Sequence, residues 1–183
     1  MDITLDKKKI QEINLVDISL SSGMERKEWF LANTGEHYKF LAFISQALKG
    51  QTVFDIGTYF GESAVALAYE PTTTVISYDI VDVKKIKYPP ANIEFNIGDF
   101  RNDPRLLSSP FIFIDVDPHD GTQEAEFHKF FVESGYKGIT VWDDIHLSPQ
   151  MNNWWNSVNG KFVSKMDITE IGHHSGTGMI IYG

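Results

Sequence analysis

Carboxylates crowd two short stretches of this 183-residue chain. One is Asp115-Val116-Asp117-Pro118-His119-Asp120, and the other is Trp142-Asp143-Asp144-Ile145-His146. Each follows an apolar run of strand character, Phe111–Ile114 and Ile139–Trp142, so each cluster belongs at a strand end. Acids gathered at neighbouring strand ends repel one another unless a cation lies among them. Oxygen donors in a chain without cysteine suit a hard divalent ion, magnesium first, with calcium and manganese also open. His119 and His146 leave a softer metal open. The bland alternative is that these acids start helices, since Asp120 precedes a helical pattern and Asp144 is placed to begin another. A lone acidic pair would favour that alternative, but two clusters side by side favour metal.

A second constellation lies upstream. Val53-Phe54-Asp55-Ile56-Gly57-Thr58-Tyr59-Phe60-Gly61 passes from strand to helix through two glycines. Gly57 permits a tight turn, and Gly61 lets a ligand approach the helix start. The spacing is not the Gly-x-Gly-x-x-Gly of dinucleotide sites, and Asp55 would repel a pyrophosphate. That carboxylate suits a ligand bearing an amino group and a sulfonium. A turn that merely needs glycine would look the same. The next strand ends in Ser77-Tyr78-Asp79, where an acid can accept both hydroxyls of a ribose. The one after ends in Asn96-Ile97-Gly98-Asp99-Phe100, where Asp99 can accept from an adenine amino group with Phe100 against the ring. Each aspartate alone is commonly a turn or cap residue. Three acids ending three successive strands occupy the place where open α/β sheets bind ligands, which points to a nucleoside cofactor.

These residues need a sheet to hold them. From residue 50 onward, short apolar runs (Thr52–Ile56, Thr74–Tyr78, Ile93–Ile97, Phe111–Ile114, Ile139–Trp142, Gly178–Tyr182) alternate with helical patterns at Glu62–Tyr69, Pro104–Leu107, Thr122–Ser134 and Met151–Val158. Near-continuous apolar strands between helices predict a parallel sheet covered on both faces. Lys165–Ile171 and Met179–Tyr182, joined by Gly172-His173-His174-Ser175-Gly176, predict an antiparallel hairpin at the end. Residues 1–49 read as a helical or lid segment and 50–183 as the ligand-binding part of one domain. Within the first, Phe40, Leu41, Ile44 and Leu48 share a helical face closed by Gly50, and Ser19–Met24 reads as a lid or an ordinary loop.

Asp55-Ile56-Gly57-Thr58-Tyr59-Phe60-Gly61, then Asp79, then Gly98-Asp99, resembles the S-adenosylmethionine-dependent methyltransferases whose Rossmann-like sheet has seven strands, mostly parallel with an antiparallel C-terminal hairpin and helices on both faces. The resemblance runs from about residue 36 to the last and implies that Asp55 and Gly57 lie along the methionine part, Asp79 holds the ribose and Asp99 the adenine. Phe113-Ile114-Asp115-Val116-Asp117 and Trp142-Asp143-Asp144 narrow it. They look like the cation-dependent O-methyltransferases of catechol and caffeoyl-coenzyme A type, and equally like antibiotic-tailoring sugar O-methyltransferases. By that likeness Asp115, Asp143 and Asp144 are metal ligands, Asp115 also serves the chemistry, and Asp117 sits near the cofactor. Many such enzymes carry a basic lysine just after the strand-four acids. Here the stretch is Pro118-His119-Asp120, so His119 is the nearest replacement. Tyr59 and Trp142 are candidates for cation–π contact with the sulfonium. Trp154 and Trp155 are candidate substrate walls, or helix residues packed on the sheet.

The implied activity is divalent-cation-dependent O-methylation of a small diol-like or catechol-like hydroxyl. Two alternatives stay open: a metal-independent N- or carboxyl-methyltransferase, and a cofactor-binding module without chemistry. The short distance beyond strand five leaves no room for a substrate domain, so the acceptor is expected to be small. A homodimer stays open. The opening Met1-Asp2-Ile3-Thr4-Leu5-Asp6, followed by Lys7-Lys8-Lys9, lacks the basic-then-apolar order of a signal peptide, and no apolar run could span a bilayer. The expectation is a soluble cytoplasmic protein. Lys plus Arg number 16 against 25 Asp plus Glu, a net charge of −9 that repels phosphate backbones. With arginine only at positions 26, 101 and 105, filter binding is expected to detect no submicromolar, salt-sensitive association with RNA or DNA.

Overall fold

Phe111–Ile114 is buried at every position, and so is Val53–Ile56, so both faces of these strands are dry. Parallel strands need that environment. A computed structural model, describing residues 4–25 and 27–183, places them at the centre of a sheet. Its strands are β1 (Thr52–Ile56), β2 (Thr74–Asp79), β3 (Ile93–Ile97), β4 (Phe111–Ile114), β5 (Gly138–Asp143), β6 (Val163–Asp167) and β7 (Thr177–Tyr182). The order across the sheet is β3-β2-β1-β4-β5-β7-β6. The first five run parallel, and β7 lies antiparallel between β5 and β6. This is the Rossmann-like topology with a terminal hairpin.

Alternation along each strand divides the core. Val53, Val75, Phe111, Phe113 and Val141 face one side, under α3 (Tyr38–Ala47) and α4 (Glu62–Leu67). Phe54, Ile76, Ile112, Ile114 and Trp142 face the other, under α5 (Thr122–Glu133) and α6 (Pro149–Ser157). The N-terminal α1 (Lys7–Gln11) packs against α3, and α2 (Val16–Ser21) follows it. In α3, Phe40, Leu41 and Ile44 are buried with Leu48 beyond the helix end, the face the spacing predicts. No helix among the described residues is long and apolar enough to cross a membrane.

Two predicted elements differ. Pro104–Leu107 forms no α-helix; short 3₁₀ turns stand at Phe100–Asn102 and Leu106–Ser108 instead. The Asp99 and Asp103 carboxylates accept the Arg101 and Arg105 backbone N–H groups, a local bonding that competes with helix. The strand expected over Lys165–Ile171 begins earlier and stops at Asp167. There the carboxylate accepts from Thr169 N–H (3.0 Å) and its hydroxyl (2.6 Å) and turns the chain into Thr169–Ile171.

At the top of β1 the chain must pass very near β4. Gly57 has φ +94°, and a Cβ there would lie 1.7 Å from the Asp115 carbonyl oxygen. The turn is thus dictated by backbone proximity as well as by any ligand. Gly57→Ala is expected to destabilise the protein by roughly 2–5 kcal/mol, from left-handed strain plus overpacking, as read by urea unfolding.

Candidate active site

A cavity of about 930 Å³ opens over the C-terminal ends of the parallel strands. Gly57, Tyr59, Asp79, Gly98, Asp99 and Phe100 line one end. Glu36, His37, Asp115, Asp143, Asp144 and His173 line the other, with Asp117 and His119 beside them.

At the first end Asp79 is held by backbone. Its Oδ2 accepts from Tyr59 N–H (2.8 Å), and its Oδ1 accepts from Ile80 N–H (2.7 Å) and Val81 N–H (3.2 Å). Asp99 is clamped by the Arg101 guanidinium, which donates to both carboxylate oxygens and holds the group below its ordinary pKa. Phe100 touches the cavity but is otherwise packed edge-on against Phe127. Tyr59 takes a left-handed φ of 43°, stacks on Phe60 at 3.8 Å and stays exposed at the rim.

Two residues expected along the cofactor lie off the cavity wall. Asp55 is fully buried behind β1, where the Ser77 hydroxyl donates to its Oδ2 (2.5 Å) and Oδ1 has no partner. Strand alternation sends it to the α4 side. Burial pushes its carboxyl up to about 6, against the hydrogen bonds that lower it. Gly61, at φ +101°, caps α4, and a Cβ there would meet Ile86 at 2.7 Å, so its smallness serves packing.

The other end is a mesh of acids and histidines. Asp143 Oδ1 lies 3.3 Å from His37 Nδ1, and its Oδ2 lies 3.3 Å from His173 Nδ1. Burial would raise Asp143, but the two histidines outweigh it and hold the carboxyl well below its usual range. Burial likewise opposes charge on His173, yet Asp143, Asp144 and Glu36 raise it to about 10. His37 rises for the same reason, against its own burial. Asp115 moves upward, through burial first and then through the Asp143 carboxylate. Asp144 adopts a left-handed φ of 59° and accepts from the Ser175 hydroxyl. His119, at φ 54°, turns its ring into the mesh: Nδ1 is 3.6 Å from Asp144 Oδ2, and Nε2 is 3.8 Å from Asp115 and 3.5 Å from Asp117.

Asp115, Asp143 and Asp144 thus stand close but divide into two groups. Ligand atoms within 4.8 Å of one another occur in Asp115–His119–Asp144 and in His37–Asp143–His173, with Glu36–His173–His174 a third such set. His37, Glu36 and His173 were missed in the sequence. Only the adjacent histidines of the loop before β7 carried a signal, and that stretch reads first as a hairpin connection. Trp142, Trp154 and Trp155 lie in the core beneath α6, away from the cavity, so they neither face a sulfonium nor wall a substrate. Ser19–Met24 spans the end of α2 and the turn after it. Ser19, Ser22 and Met24 are buried, the Ser22 carbonyl accepts from Tyr88 N–H, and Trp29 rather than this segment reaches the cavity. Arg101 and Arg105 each pair with two carboxylates, and Arg26 lies outside the described residues.

Neither a protein-family model nor a curated protein matches the sequence. Solved structures do match. The O-methyltransferase from Bacillus cereus in complex with SAH aligns with a TM-score of 0.60 at 16% identity, over 99% of this chain and 93% of that one. TomG from Streptomyces achromogenes, an O-methyltransferase involved in tomaymycin synthesis and solved with SAM, aligns at 0.61 and 14%, over 98% and 99%. Cofactor-bound Rv0187 from MTB aligns at 0.61 and 18%, over 91% and 87%. The fold is that of S-adenosylmethionine-dependent methyltransferases. It accounts for the cavity's position above β1 and β2, while the histidine mesh is a feature of this chain's own residues.

Asp55 supplies a pH test. The folded protein holds this proton to about pH 6, whereas the unfolded chain's carboxyl loses it at its ordinary 3.8, so the native state binds more protons between them and stability falls as pH rises through that window. Asp55→Asn removes the effect. Relative to native, the variant is expected to be more favourable at pH 7 than at pH 4 by about 3 kcal/mol in urea unfolding.

Proposed function

We propose that this chain transfers a methyl group from S-adenosylmethionine to a hydroxyl of a small diol-like or catechol-like acceptor, assisted by a divalent cation. The observation that carries the reading is one continuous cavity with Asp79, Asp99 and Phe100 at one end and Asp115, His119 and Asp144 at the other. The first end suits the cofactor. After accepting three backbone N–H groups, Asp79 keeps about one of its four acceptor sites, room for one ribose hydroxyl. A Cβ at Gly98 would enter open space, so the backbone leaves room there. When bound, the cofactor supplies a methyl group activated by its sulfonium. Tyr59 offers a ring face at the rim, suited to cation–π contact.

At the second end, Asp115 and His119 are the groups placed to take the acceptor's proton when no ion is bound. His119 stands between Asp115 and Asp144 and orients both. The donor set Asp115, His119 and Asp144 fits a divalent ion, and its ring nitrogen widens the choice beyond magnesium to manganese and its first-row neighbours. When bound, such an ion supplies Lewis acidity that lowers the hydroxyl pKa. Holding nucleophile and methyl in line within the cavity is the protein's remaining contribution.

Metal-independent transfer is the second reading. It is favoured by His37 and His173, which already face Asp143 and supply counter-charge of their own.

Calorimetry with S-adenosylhomocysteine tests the core of the proposal. The native protein is expected to bind, and Asp79→Ala to bind roughly 10–150-fold more weakly, the loss of a charge-assisted hydrogen bond. No binding by the native protein would remove methyl transfer. Turnover of a diol acceptor in excess chelator separates the two readings: lost activity supports the cation, and full activity puts the metal-independent reading first.

A further inference from the structure

Hydrogen bonding around Asp143 does not balance. His37 is buried at the start of α3, and its Nδ1 has no hydrogen-bond partner although Asp143 Oδ1 stands 3.3 Å away. On the other side of the same carboxylate, His173 Nδ1 faces Asp143 Oδ2 at 3.3 Å, Asp144 Oδ1 at 3.1 Å and Ser175 Oγ at 2.6 Å. The Ser175 hydroxyl donates to Asp144 and its oxygen can accept the one hydrogen on His173 Nδ1, so this side of the carboxylate is satisfied and His37 is the unmatched group.

A cation among these atoms would give His37 Nδ1 the partner it lacks. Ligands bonded to zinc at about 2.0–2.2 Å stand roughly 3.0–3.5 Å from one another, the spacing seen on each side of Asp143. The donor atoms of His37, Asp143 and His173 lie within 4.8 Å of one another, and all three residues line the cavity, which gives an entry path. Outer contacts are also in place. The Thr177 hydroxyl donates to Asp143 Oδ1 (3.4 Å), and Glu36 Oε2 lies 3.8 Å from His173 Nε2, an acidic neighbour on the far side of that ring. Two imidazoles and one carboxylate suit zinc and its neighbours rather than magnesium.

We propose that His37, Asp143 and His173 form a binding site for a divalent first-row transition ion of zinc or cobalt(II) type, distinct from the more oxygen-rich Asp115–His119–Asp144 group. The ion ties together the start of α3, the end of β5 and the loop before β7. Its position at the acceptor end deepens the methyl-transfer reading and rests on that reading for any part in turnover, though not for binding itself.

Chelator-stripped full-length protein is titrated with zinc sulfate by calorimetry and with cobalt(II) chloride by visible absorption, with thermal melting alongside. Zinc is expected to bind and raise the melting temperature, and cobalt to develop ligand-field absorption. His173→Gln and His37→Gln are each expected to weaken zinc roughly 100-fold, while His119→Gln changes it by less than about tenfold. His37 is buried, so its variant's metal-free melt checks folding, and His173→Gln, on a loop, carries the test if that variant does not fold. Failure of the native protein to bind either ion overturns the proposal. So does an affinity that falls in His119→Gln and holds in His173→Gln. S-adenosylhomocysteine calorimetry on the same stripped protein keeps the two ideas apart. Cofactor binding without zinc sinks only the ion, and zinc binding without cofactor sinks only methyl transfer.

Discussion

The dryness of both sheet faces governs where chemistry can stand in this protein. Along β1, β4 and β5 nearly every side chain is buried, and an unpaired polar group there would face a desolvation cost of a few kcal/mol. Asp55 is the exception that measures the constraint: it survives inside only with a serine hydroxyl against it and a carboxyl driven towards its neutral form. All other functional acids are displaced to the strand ends. There Asp79, Asp99, Asp115, Asp143 and Asp144 converge on one cavity because parallel strands point the same way.

Convergence creates its own difficulty, since five carboxylates in one space repel one another. The two ends of the cavity meet it differently. At the nucleoside end, Asp79 is satisfied by backbone N–H groups and Asp99 by Arg101. At the acid end the counter-charges on Asp143 are imidazoles, His37 and His173, and the His119 ring stands near Asp144 and Asp115. Arginine is a fixed charge, whereas imidazole can give up its proton to make room for a metal. The acid end is therefore the adjustable one.

Much of this was legible in the sequence, for physical reasons that also mark where legibility stops. Strands buried on both faces write themselves as continuous apolar runs, so β1 to β5 fall close to where the pattern puts them. Acids just past those runs must lie at the strand ends, which located Asp79, Asp115, Asp143 and Asp144. Direction was harder. Asp55 precedes the turn by two residues, and parity alone sends it behind the sheet. Gly61 looks like a ligand-facing glycine until Ile86, distant in sequence, is seen against it. The tryptophans near the second acid cluster belong to a helix whose Ser148 cap and Pro149 start turn them inward. His37 and His173 were invisible because their significance lies in meeting Asp143 across more than a hundred residues in one case and 30 in the other.

That separation bears on the order in which the molecule can assemble. Residues 57, 79 and 99 follow or end the successive strands β1, β2 and β3, so they meet over a short span of chain. The acid end does not. It needs His37 from before the sheet, Asp115 and His119 after β4, Asp143 and Asp144 after β5, and His173 and Ser175 from the loop entering β7. Such long-range closure comes late in folding, because its chain entropy must be met before its contacts form. Even the nucleoside end draws on later chain, since Phe100 packs on Phe127 and Arg101 pairs with Glu126. At the acceptor end, Asp143 meets His37 from the N-terminal segment, but His173 reaches it only when β7 takes its place between β5 and β6.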